Sequence, residues 1–409
     1  MSEQPELSIV SMAMDRASAS MVLVRSDGKE ARFPLGKDPF GETSTLSRFT
    51  YLPALDVLLA TTNAGDDIAF EMPTFDGADQ LGGRLAVYLD QNKWRVMANV
   101  LTGIGDVSPQ EDEAARRLVQ WVWQGKIILP VSAAHYAETA KWSDTARRYQ
   151  LGLTVLQLSR GWQMRDPLQL RRDEIHSAFG CRTSGDAGTP VQAVFTLAPN
   201  VIHGAARGVG PIPMPSGLPQ EMAFRTVALT SATALIDVML DTEWVPAGSV
   251  TGWVEANQRF SDWLDGERRD AQQKRKSIDA FLLNDIRLDL AVEAHAAQLT
   301  PEVVAEWVTK HARHDLAAAP ALGLLREMLH ERHLNKGTTW RTNDLTDMIY
   351  LSCAAGYADF VVCERAMGDA LRQGIKRLQR PVRVFRYLSD AAEAIEEALA
   401  VTAPGQSEE

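Results

Sequence analysis

Five carboxylates carry the chemical signal of this chain: Asp90, Glu138, Asp344, Asp347 and Glu364. Each alone is better read as a dipole-matched or solvated acid than as a reactive one. Their placement is what matters. Asp344 and Asp347 are three residues apart in the first turns of an apolar helical stretch that Thr342 or Asn343 can cap, so they lie on nearly one helix face. Glu364 ends the apolar run Phe360-Val-Val-Cys363, and Asp90 ends the run Arg84-Leu-Ala-Val-Tyr-Leu89. Glu138 lies one to two turns into a helix that follows Ile127-Ile-Leu-Pro-Val131 and that Ser132 can cap. Brought together, such acids repel, and one or more takes up a proton unless a cation neutralises them. An all-oxygen set suits Mg2+ or Mn2+ better than zinc. A cation held there can activate a water and stabilise the charge that develops on a phosphodiester.

The elements around these acids predict how they meet. Short apolar runs between helical stretches are typical of a parallel sheet covered on both faces. In such a layer each helix runs opposite to its strand, so helix starts and strand ends share the carboxyl edge, where ligands bind. The expected fold is therefore α/β, with a doubly wound parallel sheet built from residues 84–178 and 335–401. Residues 1–80 read as a small β-rich accessory domain, with a hairpin from Ser20 to Pro34 turning at Asp27-Gly28. Ser108-Pro-Gln-Glu111 reads as a capping box, and helical patterning runs from Tyr149 to about Ala178. Residues 180–334 read as Gly- and Pro-rich linkers followed by a mainly helical insertion beside or over the acidic edge. Gly356 is expected to end the helix that starts at Asp344, Asp390 to cap a final helix, and 402–409 to be a disordered tail.

Composition sets the outer bounds. The chain has 409 residues and a net charge of −11, which argues against indiscriminate polyanion binding while leaving room for a local basic groove. Arg372, Lys376 and Arg377, just beyond Glu364, are the candidates for nucleic-acid contacts. The three cysteines, Cys181, Cys353 and Cys363, form no disulfide framework, which points to a reducing, cytoplasmic setting. No signal-peptide pattern and no charge-free membrane-spanning stretch is apparent, so no membrane role is expected. His330-Glu-Arg-His333 falls one residue short of a zinc-protease spacing and reads, like His311 and His314, as a polar helix face. No phosphate-binding loop or nucleophile elbow is found.

Taken in order, Val87-Tyr-Leu-Asp90-Gln-Asn-Lys-Trp, Ile128-Leu-Pro-Val-Ser-Ala-Ala-His-Tyr-Ala-Glu138, Asn343-Asp-Leu-Thr-Asp347-Met-Ile-Tyr-Leu-Ser-Cys-Ala and Val361-Val-Cys-Glu364 resemble the successive motifs of PIN-like domains. The resemblance covers about 85–178 and 335–400. It implies a metal-dependent nuclease, with RNA as the usual substrate. It also implies that Asp90, Glu138 and Asp347 are the three core acids, Glu364 the fourth and Asp344 an extra one. The catalytic set is then Asp90, Glu138, Asp347 and Glu364, and the ligands to Mg2+ or Mn2+ are these four with Asp344. The long region between the second and third acids and the N-terminal domain both depart from the minimal family pattern. An antitoxin partner is not favoured, because small PIN toxins are much shorter chains; homo-oligomerisation is left open. The alternative function is a non-catalytic RNA- or protein-binding module that retains a relic acidic site.

Overall fold

Alternating apolar and polar residues build the first sheet. In the computed structural model, which describes residues 8–75, 80–183, 193–203, 219–241, 243, 245 and 251–402, six strands pair antiparallel. They are β1 (Ile9–Asp15), β2 (Ser20–Arg25), β3 (Glu30–Pro34), β4 (Leu46–Leu52), β5 (Val57–Thr62) and β6 (Asp67–Glu71), in the order β3-β2-β1-β4-β5-β6. Gly28, at φ 79°, turns the β2–β3 hairpin as expected. The linker glycines around 184–192 and 204–218 and most of the expected tail lie outside the described residues.

Continuous apolar runs build the second sheet. Strands β7 (Leu85–Leu89) and β8 (Ile127–Ile128) are followed by a short antiparallel pair, β9 (Gln163–Met164) and β10 (Phe195–Thr196). Near the end come β11 (Phe360–Val362) and β12 (Arg383–Phe385). The order is β12-β11-β7-β8, with every pair parallel. Val131 adds a parallel bridge to Gln163 beyond β8, where Pro130 has no N–H to offer a longer ladder. The chain passes from β7 to β8 on one side and later fills the other side with β11 and β12. The order therefore reverses between β7 and β11.

Both faces of this sheet are covered. Val87, Leu89, Phe360 and Val362 face a core with Trp94, Met97, Leu118 and Ile395. Ala86, Tyr88, Val361 and Cys363 face a second core with Met348, Leu351, Leu371 and Leu324. The antiparallel sheet is not separately cored: Phe49, Tyr51, Leu58, Ile68 and Phe70 join the first core. The region 180–334 does not pack as one unit. Its helix Gln220–Leu240 lies on the first core, with Asp237 accepting from Thr45 N at 2.7 Å. Its helices Gly252–Gly266, Ala271–Asp285, Arg287–Ala296 and Pro320–Leu334 lie on the second. Gln220–Leu240 has the length and composition of a membrane-crossing helix, yet 56% of that window is buried inside the protein, as in a core helix.

Several local expectations are corrected. The helical reading of 149–178 is broken at Arg160 and Gly161, both at positive φ, before a new helix Pro167–Thr183 begins. Ser108 accepts from Glu111 N as read, but the Glu111 side chain reaches Ser389 N at 3.1 Å instead of closing the box. Asp390 lies inside the last helix, Leu388–Thr402, rather than at its cap. Gly356 does not end its helix, which continues to Tyr357. A Cβ there would lie 2.9 Å from Ala321 N and 3.0 Å from Pro320 C, so the glycine permits the start of Pro320–Leu334 to abut it. Gly356→Ala should therefore cost about 2 kcal/mol, the range of overpacked cores. Urea denaturation should show a lower midpoint with an unchanged m-value; an unshifted midpoint would refute the close approach.

Candidate active site

Local geometry fixes each acid. Asp90 leaves β7 and caps the helix Gln91–Thr102, its Oδ1 accepting from Gln91 N at 2.9 Å. Its backbone N–H donates to Val362 O at 2.9 Å, which ties it to β11. Glu364 follows β11 after Cys363 and caps the helix Arg365–Leu378; its carboxylate accepts from Asn92 Nδ2. Asp347 lies in the first turn of Asp344–Tyr357, and Glu138 lies in Ala133–Ala140, which follows β8. Four segments distant in sequence thus deliver Asp90, Glu138, Asp347 and Glu364 to the edge at which the strand order reverses, the place where open α/β sheets bind ligands.

The acids feel one another. Burial pushes the Asp347 carboxyl up to about 7, and the charges of Asp90, Glu138, Asp344 and Glu364 each add to that shift. Burial likewise pushes Glu138 up to about 7, with Asp90 and Glu364 adding and Lys141 opposing. Burial raises Asp90 above the ordinary aspartate range; the Gln91 amide opposes this and the Glu364 charge reinforces it. This coupling acts over a longer range than coordination. Among the described residues, no three acid, histidine or cysteine side chains stand close enough to grip one ion. The donor set itself, oxygen only and short of positive charge, has the chemistry of a hard-cation site.

Asp344 is set apart from the other four. It is buried, accepts from Arg341 N at 2.7 Å, and pairs with Arg332 Nη2. Its carboxylate already accepts from a cation and an amide, which sets it apart from the other expected metal ligands. Two of the basic candidates, Lys376 and Arg377, are also displaced. The helix Arg365–Leu378 runs away from the acidic edge, so Lys376 lies about 18 Å along it from Glu364 at 1.5 Å per residue. Arg377 pairs with Glu331 at 2.6 Å and Glu327 at 3.2 Å, and Arg372 pairs with Asp369. These three residues do not line the cleft beside the acids.

That cleft, about 790 Å³, is lined by Asp344, Asp347 and Glu364 together with Arg341, Thr338 and Thr339. Lys93, one turn beyond Asp90, is the cation that most lowers the Asp90 carboxyl. Asn92, Lys93 and Arg341 escaped the sequence reading; for the first two, adjacency to Asp90 was the available signal. His330 and His333 are buried rather than on a polar face. His330 Nε2 meets Asp279 at 2.8 Å, and His333 Nδ1 meets Ser261 at 2.7 Å.

A stability test follows from the two carboxyls near 7. Their folded pKa exceeds the ordinary 4.5 of Glu138 and 3.8 of Asp347, so between about pH 4 and 7 the folded state holds more protons than the unfolded one. Their contribution to stability falls as pH rises through that window. In EDTA, Asp347→Asn should stabilise the protein by on the order of 1–2 kcal/mol at pH 8 and by much less at pH 4.5. Urea melts at the two pH values measure this, and an equal effect at both would refute the repulsion. Comparison with protein-family models, with curated proteins and with solved structures returned no match to this chain, so the reading of the site rests on its own residues.

Proposed function

We propose that this protein is a Mg2+- or Mn2+-dependent ribonuclease that hydrolyses phosphodiester bonds at Asp90, Glu138, Asp347 and Glu364, carried on a PIN-like domain. One observation carries the reading. A half-buried Asp347 carboxyl senses four other acids, two of them strand-end residues, beside an open cleft at the switch point of a parallel sheet. Asp90, Glu138, Asp347 and Glu364 would hold the ion. When bound, it supplies a lowered water pKa and charge neutralisation at the phosphate.

The chain's own residues do the rest. The Gln91 amide and the tie to Val362 orient Asp90 before any ligand arrives. Asn92 holds the Glu364 carboxylate. Glu138 and Asp347, with carboxyls near 7 in the metal-free protein, would give up their protons when the ion is held, so metal binding should be weaker below neutral pH. The free, buried thiols of Cys353 and Cys363 suit a reducing, cytoplasmic setting. The second reading is a binding module for RNA or protein with a relic acidic site. It is favoured by the separation of the acids, none of which stands with two others at gripping distance.

Purified protein with Mn2+ should cleave single-stranded RNA, and EDTA should stop it. Asp90→Asn should slow cleavage on the order of a hundredfold or more while the far-ultraviolet circular dichroism stays unchanged. Mn2+ should raise the Tm of the wild type more than that of the variant. Metal-dependent stabilisation without cleavage of any RNA offered would favour the binding module. No Mn2+ effect on either protein would exclude the metal site.

A further inference from the structure

Much of the lining of the cleft that holds Asp347 and Glu364 comes from a short segment, 335–343, that joins the helix Pro320–Leu334 to the helix Asp344–Tyr357. It is held as firmly as a strand, though it belongs to no sheet. Gly337 N donates to Asp265 Oδ2 at 2.9 Å, and Trp340 N donates to Gln258 Oε1 at 2.9 Å. Gln258 Nε2 returns a bond to Thr338 O at 3.2 Å. The Trp340 ring is buried, and its Nε1 donates to Ser261 Oγ at 2.9 Å. Asp265, Gln258 and Ser261 all belong to Gly252–Gly266, a helix of the insertion. From the other side, Arg332 donates to Thr339 O at 3.2 Å and pairs with Asp344, whose carboxylate also takes Arg341 N.

Two cations line this cleft among the described residues, Arg332 and Arg341. Arg332 is committed to Asp344 and Thr339 O, with its guanidinium 4.9 Å from the Trp340 ring centre. Arg341 is exposed, and among the described residues only its backbone is tied down. A cleft lined by acids repels a polyanion unless its lining also offers positive charge. Arg341 offers that charge on a segment that the insertion has already fixed in place, so little ordering is needed on binding. Thr338, Thr339 and Asn335 add hydrogen-bonding groups to the same segment.

We propose that the segment 335–343 is a rigid substrate-binding lip, and that Arg341 contacts a backbone phosphate of single-stranded RNA lying across the cleft. This rests on the ribonuclease reading and adds to it the residue that receives the substrate and a purpose for the insertion, which anchors the lip. The probe is a fluorescein-labelled 12-nucleotide oligouridylate, with binding followed by anisotropy in Mn2+ from 50 to 200 mM salt, using Asp90→Asn as the background so that the RNA is not cut. Adding Arg341→Gln should weaken binding about tenfold at the lowest salt. It should also lower the slope of log K against log salt by about 0.7, the loss of one phosphate contact on a single strand. Arg341→Lys should keep the slope, because the charge remains. In the otherwise wild-type chain, Arg341→Gln should leave the Mn2+-induced rise in Tm unchanged, which separates loss of the lip from loss of the acidic site. Unchanged affinity and slope in Arg341→Gln, with RNA still bound, would overturn the lip alone. No RNA binding by the Asp90→Asn background, together with no cleavage by the wild type, would overturn the ribonuclease reading and the lip with it.

Discussion

The parallel pairing of β7 with β11 is the constraint on which the rest of the structure depends. It joins segments 273 residues apart, with Ala86 N donating to Asp359 Oδ2 at 2.8 Å and Asp359 N to Ala86 O at 3.0 Å. The register sets Leu89 against Val362, so the next residues out of the ladder, Asp90 on one strand and Cys363 and Glu364 on the other, emerge at one edge. A slip of one residue would turn Val361 and Cys363 from one core into the other and would separate the two acids. Both cores fill the sheet faces completely, so the register is held by packing as well as by hydrogen bonds.

Within this frame, Asp344 and Asp347 make an internal comparison. They share one helix face and one residue type, three positions apart. Asp344 is buried but matched by Arg332 and the Arg341 amide, so it stabilises the junction between two helices. Asp347 has no cationic partner among the described residues, and burial and four like charges act on it. The fold gains nothing from leaving that carboxylate unmatched; an uncharged residue of similar size would avoid the repulsion. Violations of this kind concentrate where function requires them. The pair also shows why a like spacing on a helix cannot by itself assign a role: the partner, supplied from Leu334's helix by tertiary packing, decides it.

Much of the second sheet was legible because its signals are local. Apolar runs closed by Asp90 or Glu364 and a cap at Ser132 depend on few neighbours, as does the positive-φ Gly28 that turns a hairpin of the first sheet. What escaped depends on distant ones. β1 and β4 were not read as strands, and in β4 a bulge between Leu46 and Arg48 interrupts the alternation that would mark it. Lys376 and Arg377 looked close to the acids in sequence, but a helix carries its last turn away from the edge on which its first turn lies. The His330 and His333 spacing looked surface-exposed because its partners, Asp279 and Ser261, lie on helices that sequence periodicity cannot dock. The division of 180–334 between two cores had no local signature either, because each helix in it is amphipathic or apolar whichever face it covers.

That division bears on how a long insertion coexists with a shared acidic edge. The chain must leave the sheet after Glu138 and return at Asp344, and closing a longer loop costs only slowly more entropy as its length grows. The helices of the insertion offset this by burying Val254, Leu264, Ile278 and Leu282 in the second core. The returning end is the better fixed part, because Gly252–Gly266 and Pro320–Leu334 both bond to 337–341 just before Asp344 begins its helix. A free loop at this point would let the first turn of Asp344–Tyr357 fray, and Asp347 with it. The anchored segment prevents that, so the insertion acts on the acidic edge through the backbone it delivers, from helices that contribute none of the four acids.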